Sequence, residues 1–133
     1  MSELKSVNPY NGKVLNTFSK HTKEQVADKI NKAEKAFEHW GIATIQEKSS
    51  FMLNASDYLS DNKLSLAETI SLEMGKPISE AISEIEKCAW VCRYYTHHAS
   101  EHLQEEFFET EARQSFVRYE PLGVILAVMP WNF

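Results

Sequence analysis

The sequence runs to 133 residues, 43% apolar and 25% charged, with 14 basic against 19 acidic side chains and a net charge of −5. That length permits one small domain, and the dispersed, slightly acidic charge argues against a nucleic-acid surface. No run approaches a membrane span, the start Met1-Ser2-Glu3-Leu4-Lys5 is no secretory signal, and two cysteines without a disulfide pattern fit a reducing cytosol, so a cytoplasmic protein is expected.

In chain order, residues 6–18 read as an extended pair: Val7 and Val14-Leu15 flank Pro9-Tyr10-Asn11-Gly12, and Asn-Gly signals a tight turn. Thr22-Lys23-Glu24-Gln25 has the form of a capping box, in which threonine and glutamine satisfy each other's orphan N–H groups. Val26, Ile30, Ala33, Phe37 and Trp40 then form one helical stripe, closed by Gly41. A second box, Thr44-Ile45-Gln46-Glu47, opens a helix whose buried face is expected at Phe51, Met52, Ala55 and Leu59, and Asp61-Asn62 ends it. A third helix is predicted over about 63–74, with Leu66, Ala67, Ile70 and Met74 inward and Gly75 as its stop. A fourth is predicted over about 78–102, with Ile78, Ile82, Ile85, Ala89, Cys92, Tyr95 or Thr96, and Ala99 as its stripe.

Residues 103–113 read as acidic and irregular, and 114–120 as a strand with Val117 and Tyr119 on one face, Phe116 and Arg118 on the other. From Leu122 to Val128 the chain is continuously apolar, β-branched at Val124, Ile125 and Val128, as in a strand buried on both faces of a parallel sheet. Pro130 ends the run, lacking an N–H for the ladder. Trp131 and Asn132 then lie just past the carboxyl end of a buried strand, where open α/β sheets bind ligands. A lone buried strand leaves its backbone groups without neighbours, so the chain is expected to belong to a longer one.

Cys88, Cys92, His98 and His102 suggest a metal set, but one helix carries all four. At 1.5 Å per residue the outer two stand about 21 Å apart, whereas zinc holds its ligands within about 2.3 Å, so the four cannot share one ion. Two separate half-sites stay open as the weaker alternative to buried thiols on the helix stripe and partly exposed histidines, and no metal is expected. Gly75 and Gly123 belong to no phosphate-binding glycine motif; Gly123 is expected to allow close packing. Taken alone, Asn132 would cap a turn and Phe133 would pack.

Arg118-Tyr119-Glu120-Pro121-Leu122-Gly123-Val124 followed by Pro130-Trp131-Asn132-Phe133 resembles the R-x-E-P-x-G-V…P-W-N-F signature of aldehyde dehydrogenases. Glu73-Met74-Gly75-Lys76-Pro77, Asn8-Pro9-Tyr10-Asn11-Gly12 and Ala33-x-x-Ala36-Phe37-x-x-Trp40 resemble further landmarks of that family, in its order along nearly the whole chain. Lys48 stands where the family commonly has arginine. The wording Glu73 to Ile78 and the ending Leu126 to Phe133 are similar to the succinate-semialdehyde dehydrogenase subgroup.

The resemblance implies an α/β protein: the N-terminal part of the aldehyde dehydrogenase fold, helix-rich, with an N-terminal hairpin, an oligomerisation-type strand and the first buried strand of a Rossmann-like sheet. Residues 1–133 would be an N-terminal fragment of the cofactor-binding domain: 1–113 hairpin and helices, 114–120 the oligomerisation-type strand, 121–133 the buried strand and its P-W-N-F turn. The catalytic domain would lie beyond. Implied activity is NAD- or NADP-dependent oxidation of a small aldehyde, succinate semialdehyde to succinate. Asn132 would donate its amide to the oxyanion, Met129, Pro130, Trp131 and Asn132 would border the nicotinamide cofactor, and Phe133 would border the substrate. On the fourth helix, Lys87 reads as a solvated lysine, against the alternative that a cation on this helix attracts the far carboxylate of a dicarboxylic semialdehyde. The nucleophilic cysteine and general base would also lie beyond residue 133, leaving these residues inactive alone. No nucleic-acid or membrane partner is implied, but a homo-oligomer is, with the fragment self-associating through 114–133. The competing class is a non-enzymatic module whose fourth helix binds a partner.

Overall fold

The computed structural model describes residues 3–129. Strands β1 (Glu3–Val7) and β2 (Val14–Ser19) pair antiparallel, Leu4 opposite Phe18 and Val7 opposite Val14. The connection is wider than a two-residue turn. Asn8 N–H donates to the Lys13 carbonyl and Gly12 N–H to that of Asn8, while the Asn8 and Asn11 side chains accept from Tyr10 and Lys13 N–H.

Four helices follow: α1 (Lys23–Trp40), α2 (Ile45–Asp61), α3 (Lys63–Met74) and α4 (Ile78–His102). Both capping boxes form. Gln25 N–H donates to Thr22 Oγ1 at 3.2 Å and Thr22 N–H to Gln25 Oε1 at 2.9 Å. At α2 the Thr44 N–H and hydroxyl both donate to the Glu47 carboxylate, which holds that carboxyl below its usual range. Asn62 closes α2, its N–H and side-chain amide both donating to the Tyr58 carbonyl, and α3 begins at the next residue. Gly75 ends α3 in the left-handed region at φ +72°.

The chain divides into two compact units, one running up to Lys20 and adding Thr44–His102, the other combining His21–Ala43 with the chain from Leu103. In the first unit α4 packs along α2 and α3. The side chains buried there are small: Ser56, Ala67, Ala81 and Ala89, with Ile85 the larger exception. Ser56 donates its hydroxyl to the Ala89 carbonyl at 2.8 Å, across the α2–α4 contact.

This corrects the expected face of α2. Phe51, Met52 and Ala55 are exposed and Leu59 is half-buried, while the buried residue is Ser56. The face is turned by about one residue, roughly 100° of helix, because α4 offers a backbone carbonyl and an alanine at the crossing. A small donor fits that gap and a phenylalanine does not. The α3 stripe agrees with expectation: Ala67 is buried and Leu66, Ile70 and Met74 are half-buried. On α4, Ile85 and Ala89 are buried, but Ile78 and Tyr95 are exposed and Ala81 joins the buried set.

Polar links tie the first unit together. Ser6 donates to the Glu73 carboxylate, joining hairpin to α3. Lys76 and Glu84 form a largely buried ion pair, and Lys63–Glu86 and Arg93–Asp57 tie α4 to α3 and α2.

In the second unit α1 buries no residue, and its Phe37 is half-buried. Strands β3 (Glu106–Phe108) and β4 (Ser115–Val117) form an antiparallel hairpin with Phe107 opposite Phe116, ring centroids 5.7 Å apart. The segment expected to be irregular therefore contains a strand, and the strand expected over 114–120 is shorter. Cross-strand polar pairs favour this register: Arg118 bonds Glu105 at 2.6 Å and Tyr119 donates to Glu106 at 2.8 Å.

The expected buried strand over Leu122–Val128 is not formed. Residues 121–129 join no ladder, and Leu122 is 93% and Leu126 88% exposed. A parallel strand takes its hydrogen bonds from strands distant in sequence, and no such partner stands among the described residues. No described helix is long and apolar enough to cross a membrane.

Gly75→Ala should lower stability by about 1–2 kcal/mol through its positive φ alone. A Cβ there would also stand 3.2 Å from Pro9 Cγ, whereas at Gly12, φ +69°, it would meet open space. The urea midpoint should therefore fall further for Gly75→Ala than for Gly12→Ala; equal shifts would remove the Pro9 contact from the account.

Candidate functional site

The chemistry expected from the sequence is concentrated at 129–133. Met129 is the last described residue and is 79% exposed. Pro130, Trp131, Asn132 and Phe133, expected as cofactor, oxyanion and substrate contacts, lie outside the described residues. The described residues end at Met129, one residue before that motif. Gly123 has φ +106°, a backbone that L side chains rarely adopt. A Cβ there would lie 4.0 Å from the Phe37 ring, an ordinary contact, so conformation rather than close packing calls for glycine at this place in the Glu-Pro-x-Gly-Val motif.

The fourth-helix set is carried on one unbroken helix, so its ends stay about 21 Å apart. Cys88 is exposed and Cys92 half-buried, and both are free thiols. Although Cys88 is exposed as a residue, partial desolvation of its sulfur pushes the thiol up from its usual range, and the Glu84 carboxylate and Cys92 add to that shift. A thiol so placed is a poor nucleophile, because attack requires the thiolate. Further along, Tyr94 stacks on His98 at 4.5 Å between centroids, and its hydroxyl stands 3.2 Å from His102 Nε2. Among the described residues no group of three or more His, Cys, Asp or Glu side chains is placed to hold a metal ion.

Lys87 is exposed, and its ammonium lies 5.2 Å from the centre of the Trp90 ring. A surface recess of about 200 Å³ beside it, which sequence reasoning missed, is lined by Ser60, Lys63, Glu86, Ala89, Trp90 and Arg93. No sequence spacing signals it, because α2, α3 and α4 each contribute. Its two cations are already matched, Lys63 by Glu86 and Arg93 by Asp57, so it carries little net pull on an anion.

The model of the aldehyde dehydrogenase family matches residues 1–133. The chain belongs to the aldehyde dehydrogenase family, whose members are oxidoreductases. Over 130 residues it is 41% identical to a Synechocystis protein named "Probable succinate-semialdehyde dehydrogenase [NADP(+)]", a match covering 98% of this chain and 29% of that protein. It is 35% identical to the succinate-semialdehyde dehydrogenase [NADP(+)] of Mycobacterium leprae, with the same two coverages. Among solved structures, the succinic semialdehyde dehydrogenase of Streptococcus pyogenes with NADP+ superposes with a TM-score of 0.79 at 27% identity, over 84% of this chain and 25% of that one. The family and the fold expected from the motifs are therefore present, and the chain spans about 29% of the length of these curated relatives.

The reactivity of Cys88 reads out its raised pKa directly. At mildly alkaline pH, Cys88 should react with iodoacetamide more slowly than cysteine in an unstructured peptide, and Glu84→Gln should speed it. Mass-spectrometric mapping reads both. An equal or faster rate for Cys88 in the unaltered chain would contradict the raised pKa.

Proposed function

We propose that these residues form the N-terminal part of an NAD(P)-dependent aldehyde dehydrogenase that oxidises succinate semialdehyde to succinate. The observation that carries this reading is the family match over the whole of residues 1–133, joined to the Pro130-Trp131-Asn132-Phe133 motif. The named activities of the Synechocystis and Mycobacterium leprae relatives support the substrate and favour NADP over NAD. In this reading 1–113 carry the hairpin and helices, 114–120 serve between subunits, and 121–133 supply one strand and the turn of the cofactor-binding domain in a cytoplasmic enzyme.

The roles follow from charge. When a nucleophile adds to an aldehyde, negative charge gathers on the carbonyl oxygen. A fixed amide dipole stabilises that charge without reorganising, and Asn132 is assigned this role. In this reading Met129, Pro130, Trp131 and Asn132 would border the nicotinamide ring, and Phe133 would border the substrate chain. A nicotinamide held there would supply the hydride acceptor. Val128 and Met129, the last described residues before the motif, expose apolar side chains, 84% and 79%. Neither Cys88 nor Cys92 is assigned as nucleophile, since both sit in mid-helix and Cys88 is held as a thiol.

Two measurements test this reading. The 133-residue chain alone should form no NADH or NADPH from succinate semialdehyde, since the covalent route needs an activated nucleophile and a base. Turnover by the pure chain that survives replacement of both cysteines would overturn that assignment. In a full-length enzyme carrying this sequence, Asn132→Ala should lower kcat by about 10²–10³-fold while cofactor affinity changes much less. An unchanged kcat, with chemistry rate-limiting, would remove Asn132 from the mechanism.

We also infer that the chain self-associates through 114–133. Its apolar run is unpaired and open to solvent, and such backbone is a template for strand pairing. Sedimentation at micromolar concentration should show a dimer or larger species, dissociated by Ile125→Lys. A monomer would contradict it.

A further inference from the structure

We propose that His98 and His102 form a two-imidazole chelate for a divalent late first-row transition-metal ion, of the copper, nickel and zinc class, on the last turn of α4. The four-residue set suggested by the sequence cannot converge, but its C-terminal half can. Residues four apart on a helix face the same way, one turn above the other. Here the two rings stand 6.2 Å apart between centroids and are inclined by 34°. With metal–nitrogen bonds of about 2.1 Å, rings sharing one ion stand at roughly that separation, so ring rotation rather than backbone movement brings two nitrogens together.

The surroundings favour an ion. His98 Nδ1 lies 3.6 Å from the Glu101 carboxylate, too far for a hydrogen bond but close enough to set negative charge beside a bound cation. His102 Nε2 faces the Tyr94 hydroxyl at 3.2 Å, and a bound ion takes the place of the phenol as its partner. The His98 side chain is 45% accessible and His102 is exposed, so solvent can deliver the ion and water can complete its coordination. His102 is the last residue of α4, where unsatisfied carbonyls present the negative end of the helix dipole to a cation. Imidazole nitrogen selects copper, nickel and zinc over magnesium and calcium. His97 is adjacent in sequence but points about 100° away around the helix, and takes no part.

The test is titration of the 133-residue chain with nickel(II) by isothermal calorimetry, in the Cys88→Ser/Cys92→Ser background so that thiols cannot contribute. One ion per chain should bind. His98→Ala and His102→Ala should each weaken it by about 10²-fold or more, the lower end of the gain from making a second contact intramolecular. His97→Ala should leave it unchanged. Far-ultraviolet circular dichroism of each variant reports whether α4 persists, and the conservative His98→Gln repeats the loss with less disturbance of the Tyr94 stack. No binding by the parent would overturn the proposal, as would full binding with one ring removed or an equal loss in His97→Ala.

Discussion

The first unit depends on how closely α4 approaches α2. At the crossing, Ser56 is fully buried and its hydroxyl reaches the Ala89 carbonyl at 2.8 Å. A donor on one helix can meet a backbone carbonyl of another only where both surfaces are small, and Ala89 provides that surface on α4. Further along the same pair, the Thr96 hydroxyl donates to the Cys92 carbonyl of its own helix at 2.9 Å and lies 3.4 Å from the Ser49 carbonyl of α2, a weaker contact than the Ser56 bond. Such a bond contributes about 1 kcal/mol net, but a larger side chain at Ser56 would also force the helices apart, at a cost of about 1–3 kcal/mol. Because the seam is narrow, large side chains are displaced outward. Phe51 at 61%, Tyr58 at 62% and Trp90 at 56% exposure are the counterpart of an alanine-and-serine interior.

That geometry explains what the sequence discloses and what it withholds. Helix ends are legible because they are local: Thr22 with Gln25, Thr44 with Glu47, and Gly75 in its left-handed cap each satisfy groups within a few residues. The stripe of α3 is legible because Ala67 and its neighbours follow the helical period. The face of α2 is not, since apolar periodicity ranks Phe51 and Met52 above a serine, and only the partner helix reveals that a small donor is required. The β3–β4 hairpin is hidden for a similar reason. Its register is favoured by Glu105 with Arg118 and Glu106 with Tyr119, pairs 13 residues apart that look like an acidic loop in one dimension.

The C-terminal segment separates composition from structure. Leu122 to Val128 has the residues of a buried parallel strand, yet it forms no ladder, because a strand's hydrogen bonds come from elsewhere in a sheet. In the reading proposed above, those partners belong to the larger share of a full-length enzyme. The roles proposed for Pro130 to Phe133 rest on the order of residue types in the motif, and these residues lie outside the described ones. Gly123 links the two levels: a glycine in the motif is also the position where the backbone takes φ +106°.

The most direct measurement of the central claim is a chimera in which residues 1–133 replace the matching N-terminal segment of a full-length succinate-semialdehyde dehydrogenase. The account predicts that the chimera folds, binds NADP+ and reduces it in the presence of succinate semialdehyde. A chimera that folds and binds the cofactor yet oxidises no aldehyde would contradict it.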